Sequence, residues 1–313
     1  MVLRRVCCRM LVNPKDRYFL PFSRAFCHGP LLVERYPSGS LIEMKGAIKH
    51  LIKQLLACGY VLQRGGRAQR KVILLGHMRC GSSLMVQILT SNPDIAGYGE
   101  THNHYHSVAE LETLPTHIYL TLRRYRPSRL VLDKILHDHL LSEEVLLSES
   151  CTFPIMAREA ISSVRSMVTT IPDWFEKHNP CSEDILTLAA DYYRRRLDTL
   201  CHYAETLSRI GRCWYFTYAD LMERSAEVFR MLQECLKLRY PLSERYAIGP
   251  KAGVFNIGDR SDNIKRGYID RSIVRDPIVI PQKLAETLIE HYRSFDTQMR
   301  KISTCITDSS ART

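Results

Sequence analysis

No run of about eighteen consecutive apolar residues occurs in this 313-residue chain, so a membrane-spanning helix is not expected. The opening "MVLRRVCCRMLVNPKDRYF" is a poor secretory leader, because its short apolar runs are broken by Arg9 and Lys15. Eleven cysteines stand at 7, 8, 27, 58, 80, 151, 181, 201, 213, 235 and 305, and none forms a C-x-x-C pair. An odd count in a chain of this length argues against a disulfide framework or zinc site and for free thiols in a reducing, cytoplasmic setting. No internal repeat and no low-complexity tract is present. Acidic residues are in deficit, 33 against 44 lysines and arginines, which leaves a formal charge of +11. Such a surface attracts anions, whether nucleotide, polyanion or membrane. Aromatics do not interleave with the basic clusters as they do in single-strand binders, so nucleic acid is not an expected partner.

What is there reads as one large α/β domain behind an N-terminal extension, residues 1–70, with a tail at 304–313. The first forty residues are rich in Pro, Arg and aromatics and have no sustained period. "LIEMKGAIKHLIKQLLACGY" (41–60) places Leu41, Met44, Ile48, Leu51 and Leu55 at helical spacing, an amphipathic helix expected to pack on the domain with its lysines solvated. "KVILLG" (71–76) predicts a strand and "SSLMVQILTSN" the helix after it. "RLVLDKIL" (129–136) and "CTFPIMAR" (151–158) predict further strands, with Pro154 at an edge or strand-end kink and a helix over "HDHLLSEEVLLS" between them. A long helix over 183–209, a strand and turn at 213–221, a helix from Ser225 and a closing helix over 281–302 complete the order. Alternating strands and helices predict a mostly parallel sheet flanked by helices.

The stretch "LLGHMRCGSSLMVQIL" carries Gly76 and Gly81 in a strand, tight loop, helix context, which is that of a phosphate loop. Backbone N–H groups near Gly81 and the helix dipole suit an oxyanion of any identity. Nucleotide triphosphatases place a lysine where Ser82 stands here, and Arg79, three residues earlier, supplies a fork-shaped cation instead. A site with no triphosphate to clamp fits a smaller anionic group. A phosphate-loop kinase of a nucleotide or small molecule is the alternative, weakened by the missing lysine and by the lack of a Mg²⁺-binding carboxylate other than Asp133. A non-enzymatic binder of acidic polymer is a further alternative, carried by charge alone.

The loop "RCGSSLMVQILTSNPDIAGYGE" resembles that of the sulfotransferases that use 3′-phosphoadenosine 5′-phosphosulfate, whose pattern is R-S-G-S/T-S/T-L, with Cys80 in place of the usual serine. Other blocks occur in the family's order between Lys71 and Ile269. "REAISSVRSM" carries Arg158 and Ser166, eight positions apart, at the family's 3′-phosphate segment; "FTYADL" places Tyr218 beside the nucleotide; "NIGDRSDNIKRG" offers Ser261 and Lys265 as a covering loop, with Asn263 and Arg266 nearby. The resemblance implies a P-loop-like sulfotransferase fold over 71–303, styled most like carbohydrate and tyrosyl-protein sulfotransferases, with the nucleotide held by Arg79, Cys80, Gly81, Ser82, Ser83, Leu84, Arg158, Ser166, Tyr218, Ser261 and Lys265. It implies transfer of a sulfuryl group to an acceptor hydroxyl, of a carbohydrate rather than a protein tyrosine, with no metal required.

Glu100 matches the family's general base, and Lys134, in "VLDKILHDH", matches the lysine that would neutralise the bridging oxygen alongside Arg79 and Ser83, with Asp133 as a candidate to orient it. His102 is a minor rival to Glu100. His102, His104 and His106 alternate, which on a strand would put all three on one face; with no acidic or cysteine partner at ligand spacing they are expected to meet acceptor or solvent rather than metal. Residues 1–70, 101–128 and 168–185, expected to shape the acceptor pocket, carry no transferable pattern, and nothing in the sequence sets an oligomeric state.

Overall fold

A computed structural model describes residues 69–122, 128–137, 141–178, 184–249, 251–252, 262–272 and 278–306. The arm, the helix expected over 41–60, His139 and Ser261 lie outside the described residues.

Strand β1 (Arg70–Gly76) is followed by α1 (Ser82–Ser91), the two-residue β2 (Ile95–Ala96), α2 (Val108–Leu111), α3 (Leu114–Leu122) and β3 (Leu130–Ile135). Then come α4 (Glu143–Leu146), β4 (Cys151–Thr152), β5 (Pro154–Ala157), α5 (Ala160–Thr170), α6 (Pro172–His178) and the long α7 (Ile185–Ser208). Strand β6 (Trp214–Thr217), α8 (Tyr218–Glu223), α9 (Ser225–Leu236), a 3-10 turn at Asp262–Arg266 and α10 (Gln282–Ile302) follow. The sheet runs β2-β3-β1-β5-β6, with β4 also beside β1, and every named pairing is parallel.

Residues Lys71–Gly76 of β1 are buried, as a strand covered on both faces requires. The period of two sends Ile73 and Leu75 into one core with Val164 and Met167 of α5, Leu197 and Leu200 of α7 and Phe295 of α10. Val72 and Leu74 enter the other, with Met85 and Ile88 of α1 and Val228 and Leu232 of α9. The chain leaves β1 toward β3 on one side and later returns to β5 on the other, so the strand order reverses at β1. The C-terminal ends at such a reversal form the crevice where α/β sheets bind ligands.

Four sequence expectations change. Residues 151–158 form two strands: Pro154, with no N–H to donate, stands at a strand end, one of its two expected places, opening β5, and β5 lies between β1 and β6 rather than at an edge. Of the helix expected over 137–148, the described residues form only α4, with Leu141 bridging Tyr105 and Ser142 capping the turn by accepting from the Val145 N–H. Residues 102–106 form no strand; His102 is left-handed at φ 56°, and the bridge at Tyr105 is isolated. Past α10, Thr304 pairs with β6 through its N–H to the Cys213 carbonyl, and Ile306 is buried, so the first residues of the expected tail belong to the domain.

Candidate active site

Residues 77–81 turn the chain from the end of β1 into α1, and no side chain caps that helix. Gly81 sits at φ 94° and Arg79 at φ 65°, so two left-handed residues flank Cys80. For arginine this conformation costs on the order of 1 kcal/mol and persists only where the surroundings impose it. At Gly81 a Cβ would come within 2.5 Å of the Tyr218 ring, so the ring lies directly against the loop backbone. Cys80 is buried against Gly76, and burial pushes its thiol up, leaving it neutral packing. Ser82 is buried, while Leu84 packs partly buried against the α1 core.

One group of side chains gathers on the β5 side of the loop. Arg79 Nε donates to Ser166 Oγ at 2.9 Å, and Arg158 Nη1 reaches the Arg79 carbonyl at 3.4 Å. The Arg158 guanidinium lies 4.6 Å from the centre of the Tyr218 ring, a cation–π contact. Arg79, Arg158, Ser166, Tyr218 and Gly81 therefore meet. Arg79 stands with Ser166 in this arrangement, whereas the resemblance paired it with Lys134 and Ser83.

A second group gathers on the β3 side. Lys134 Nζ donates to Ser83 Oγ at 3.1 Å and lies 3.8 Å from Glu100 Oε2. His137 Nε2 is 3.4 Å and His102 Nδ1 3.8 Å from Glu100 Oε1. Burial by itself would raise the Glu100 carboxyl, but the hydrogen bond from His137 and the charge of Lys134 outweigh it and hold the group below its usual range. Glu100 is thus an ionised, nearly buried carboxylate beside a buried lysine. The His137 ring stacks on Trp174 of α6 with centroids 5.2 Å apart and planes 13° from parallel.

Asp133 does not orient the Lys134 ammonium. Neighbouring strand residues face opposite ways, and the Asp133 carboxylate accepts from the Thr101 N–H and hydroxyl, the Tyr105 hydroxyl and the Lys134 backbone N–H. His104 and His106 stack on each other at 5.7 Å, and among the described residues no group of three or more His, Cys, Asp or Glu could hold a metal ion. Lys265 is exposed in the 3-10 turn.

Buried residues that sequence reasoning did not single out tie the loop and the strand ends beside the two groups. Arg196 of α7, fully buried, donates to the carbonyls of Gly76, Ile135 and His137, bracing the ends of β1 and β3 together. Tyr192, one turn earlier, accepts from the Met78 N–H and donates to the Leu136 carbonyl. His77 accepts the Arg158 N–H on Nε2 at 3.0 Å, and Tyr193 donates to the Arg158 carbonyl at 2.8 Å. Burial pushes His77 down to about 4, so the neutral imidazole is the form that clasps the loop to β5. The available signal was Arg196 itself, a charge on the apolar stripe of α7 one turn beyond Tyr192.

No family model matches the chain, and no curated protein matches it. Among solved structures it is similar to the "Sulfotransferase Domain from the Curacin Biosynthetic Pathway", at 16% identity and a TM-score of 0.51, covering 75% of this chain and 98% of that one. At that identity the likeness is one of fold: a mostly parallel sheet flanked by helices in a single α/β domain of sulfotransferase-like architecture.

Proposed function

We propose that the protein is a sulfotransferase that moves a sulfuryl group from 3′-phosphoadenosine 5′-phosphosulfate to the hydroxyl of a carbohydrate or other alcohol. The observation that carries this reading is that Arg79, Arg158, Ser166 and Tyr218 gather on one side of the loop at Gly81 and Glu100, Lys134 and Ser83 on the other, an arrangement that suits an anion-binding side and a reacting side. The fold it shares with a sulfotransferase domain supports the same reading.

Two phosphates and a sulfuryl group fit this donor set. Arg158, Ser166 and Arg79 would take the 3′-phosphate, with paired guanidinium donors suited to phosphate oxygens. The backbone of Gly81–Leu84 and the α1 dipole would take the 5′ end, and Tyr218 would face the nucleotide. The donor supplies a sulfur centre with a phosphate leaving group. Glu100 accepts the proton of the acceptor hydroxyl as that oxygen bonds to sulfur and the bond from sulfur to the bridging oxygen breaks. Lys134, assisted by the Ser83 hydroxyl, neutralises the charge that the bridging oxygen gains as adenosine 3′,5′-bisphosphate departs. Most of the acceleration comes from placement and charge neutralisation, as in phosphoryl transfer.

The kinase alternative places a Mg²⁺-binding carboxylate on the strand beside the loop; there the Asp133 carboxylate is engaged with Thr101 and Tyr105, while Glu100, which does face the loop, lies against Lys134 and His137. Thermal unfolding with added nucleotide tests the choice. Adenosine 3′,5′-bisphosphate at about a hundred times its Kd is expected to raise Tm by on the order of 5 °C or more, with little effect from ATP whether or not Mg²⁺ is present. Stabilisation by ATP that depends on Mg²⁺, with none from the bisphosphate, overturns the proposal.

A further inference from the structure

The residues 100–101 and 133–134 face each other as two pairs. Glu100 lies against Lys134 on the loop side of β3, while Thr101 lies against Asp133 on the other side. Successive residues of each segment point to opposite faces, so a slip of either by one position would set Glu100 against the wrong partner. The contact on the far side is the stronger lock. Asp133 is fully buried and accepts the Thr101 N–H at 2.9 Å, the Thr101 hydroxyl, the Tyr105 hydroxyl at 2.8 Å and the Lys134 N–H at 2.8 Å. His102, immediately beyond, is held left-handed at φ 56°, so the backbone here is imposed rather than relaxed.

We propose that Asp133 is a positioning residue: by gripping Thr101 and the backbone of Lys134 at once, it fixes the Glu100 carboxylate against the Lys134 ammonium. It touches neither donor nor acceptor. Its significance for catalysis rests on the reading that Glu100 takes the acceptor's proton; the positioning does not. The groups facing Glu100 are Lys134, His137 and His102, and those facing Asp133 are Thr101, Tyr105 and, through charge, Tyr98.

The test follows the Glu100 carboxyl directly, by carbon-13 NMR of glutamate-labelled protein with the resonance assigned through Glu100→Gln. In Asp133→Ala, Glu100 is expected to drift from Lys134 and His137 and its titration to rise toward the usual carboxylate range, by about half a pH unit or more. Asp133→Asn is expected to restore the wild-type titration, since its carbonyl can accept both backbone N–H groups while its amide donates to the two hydroxyls, which rotate. Should Asp133→Ala fail to fold, Thr101→Val removes one hydroxyl contact at constant shape and is expected to shift Glu100 in the same direction by less. Wild-type titration of Glu100 in folded Asp133→Ala, or in Thr101→Val where Ala does not fold, overturns the inference. Release of adenosine 3′,5′-bisphosphate from the sulfated nucleotide is measured in parallel. Its absence in the wild-type protein with every alcohol tried counts against the proposed reaction and leaves the NMR result on positioning standing.

Discussion

Glu100 combines near burial with a depressed carboxyl, an expense the chain meets with Lys134 and His137. Removing its charge while keeping its shape separates chemistry from binding. Glu100→Gln is expected to lower turnover by roughly 10²–10⁴ and to leave affinity for adenosine 3′,5′-bisphosphate within a factor of a few; steady-state rates beside calorimetric titration decide it, and full turnover removes Glu100 from the base role. Asp133 gives a pH signature of the opposite sign. Its burial pushes its carboxyl up to about 6, whereas an unfolded aspartate ionises near 4. Between those values the folded chain keeps a proton that the unfolded chain has lost, so this group's contribution to stability falls as pH rises through the window, by on the order of 3 kcal/mol in all. Glu100, depressed in the fold, works the other way, stabilising above the ordinary carboxylate pKa and ceasing to as pH falls. Urea unfolding at pH 4.5 and pH 7 is therefore expected to show Asp133→Asn gaining on the wild type at the higher pH, and an unchanged difference contradicts the assignment.

Among elements, the long helix α7 does the most to fix the site while supplying none of the residues assigned to it. Arg196 ties the ends of β1 and β3 through three carbonyls, and Tyr192 ties the loop to the residue after β3. Arg196→Met keeps length and burial but leaves those carbonyls without the guanidinium, and a loss of about 2–4 kcal/mol of stability is expected in denaturant, with weaker nucleotide binding because the loop is no longer held. Unchanged stability would show that other contacts brace the strand ends. These elements also mark where the sequence was legible. Strand β1, α1, α7, α9 and α10 announce themselves by long, regular apolar periods. The segments that differ are set by contacts made across the fold: Leu141 bridges Tyr105 just ahead of α4, and Asp133 grips Thr101 and Tyr105 where the histidine alternation of 102–106 suggested a strand. The loop and the spacing of Arg158 to Ser166 could be read because each is local to one helix start: the loop leads directly into α1, and α5 begins two residues past Arg158 and carries Ser166. The joining of Arg79 to Ser166 could not, since it depends on how α5 packs beside β1.

At the scale of the molecule, two cores cover opposite faces of one parallel sheet, and the left-handed residues Arg79 and His102 stand at its C-terminal ends. Of the three left-handed residues other than glycine among the described residues, those two stand in the site and the third, Lys237, ends α9. The formal charge of +11 was visible from composition, but only the fold brings Arg79 and Arg158 to the same side of the loop. That convergence is the central claim, and calorimetric titration with adenosine 3′,5′-bisphosphate and with adenosine 5′-monophosphate, on the wild type and on Arg158→Ala, tests it most directly. The bisphosphate is expected to bind the wild type at least about a hundredfold more tightly than the monophosphate, and Arg158→Ala to cost the bisphosphate on the order of 2–5 kcal/mol while scarcely changing the monophosphate. Equal affinities for the two nucleotides, or an Arg158→Ala protein that distinguishes them as well as the wild type does, would contradict the account.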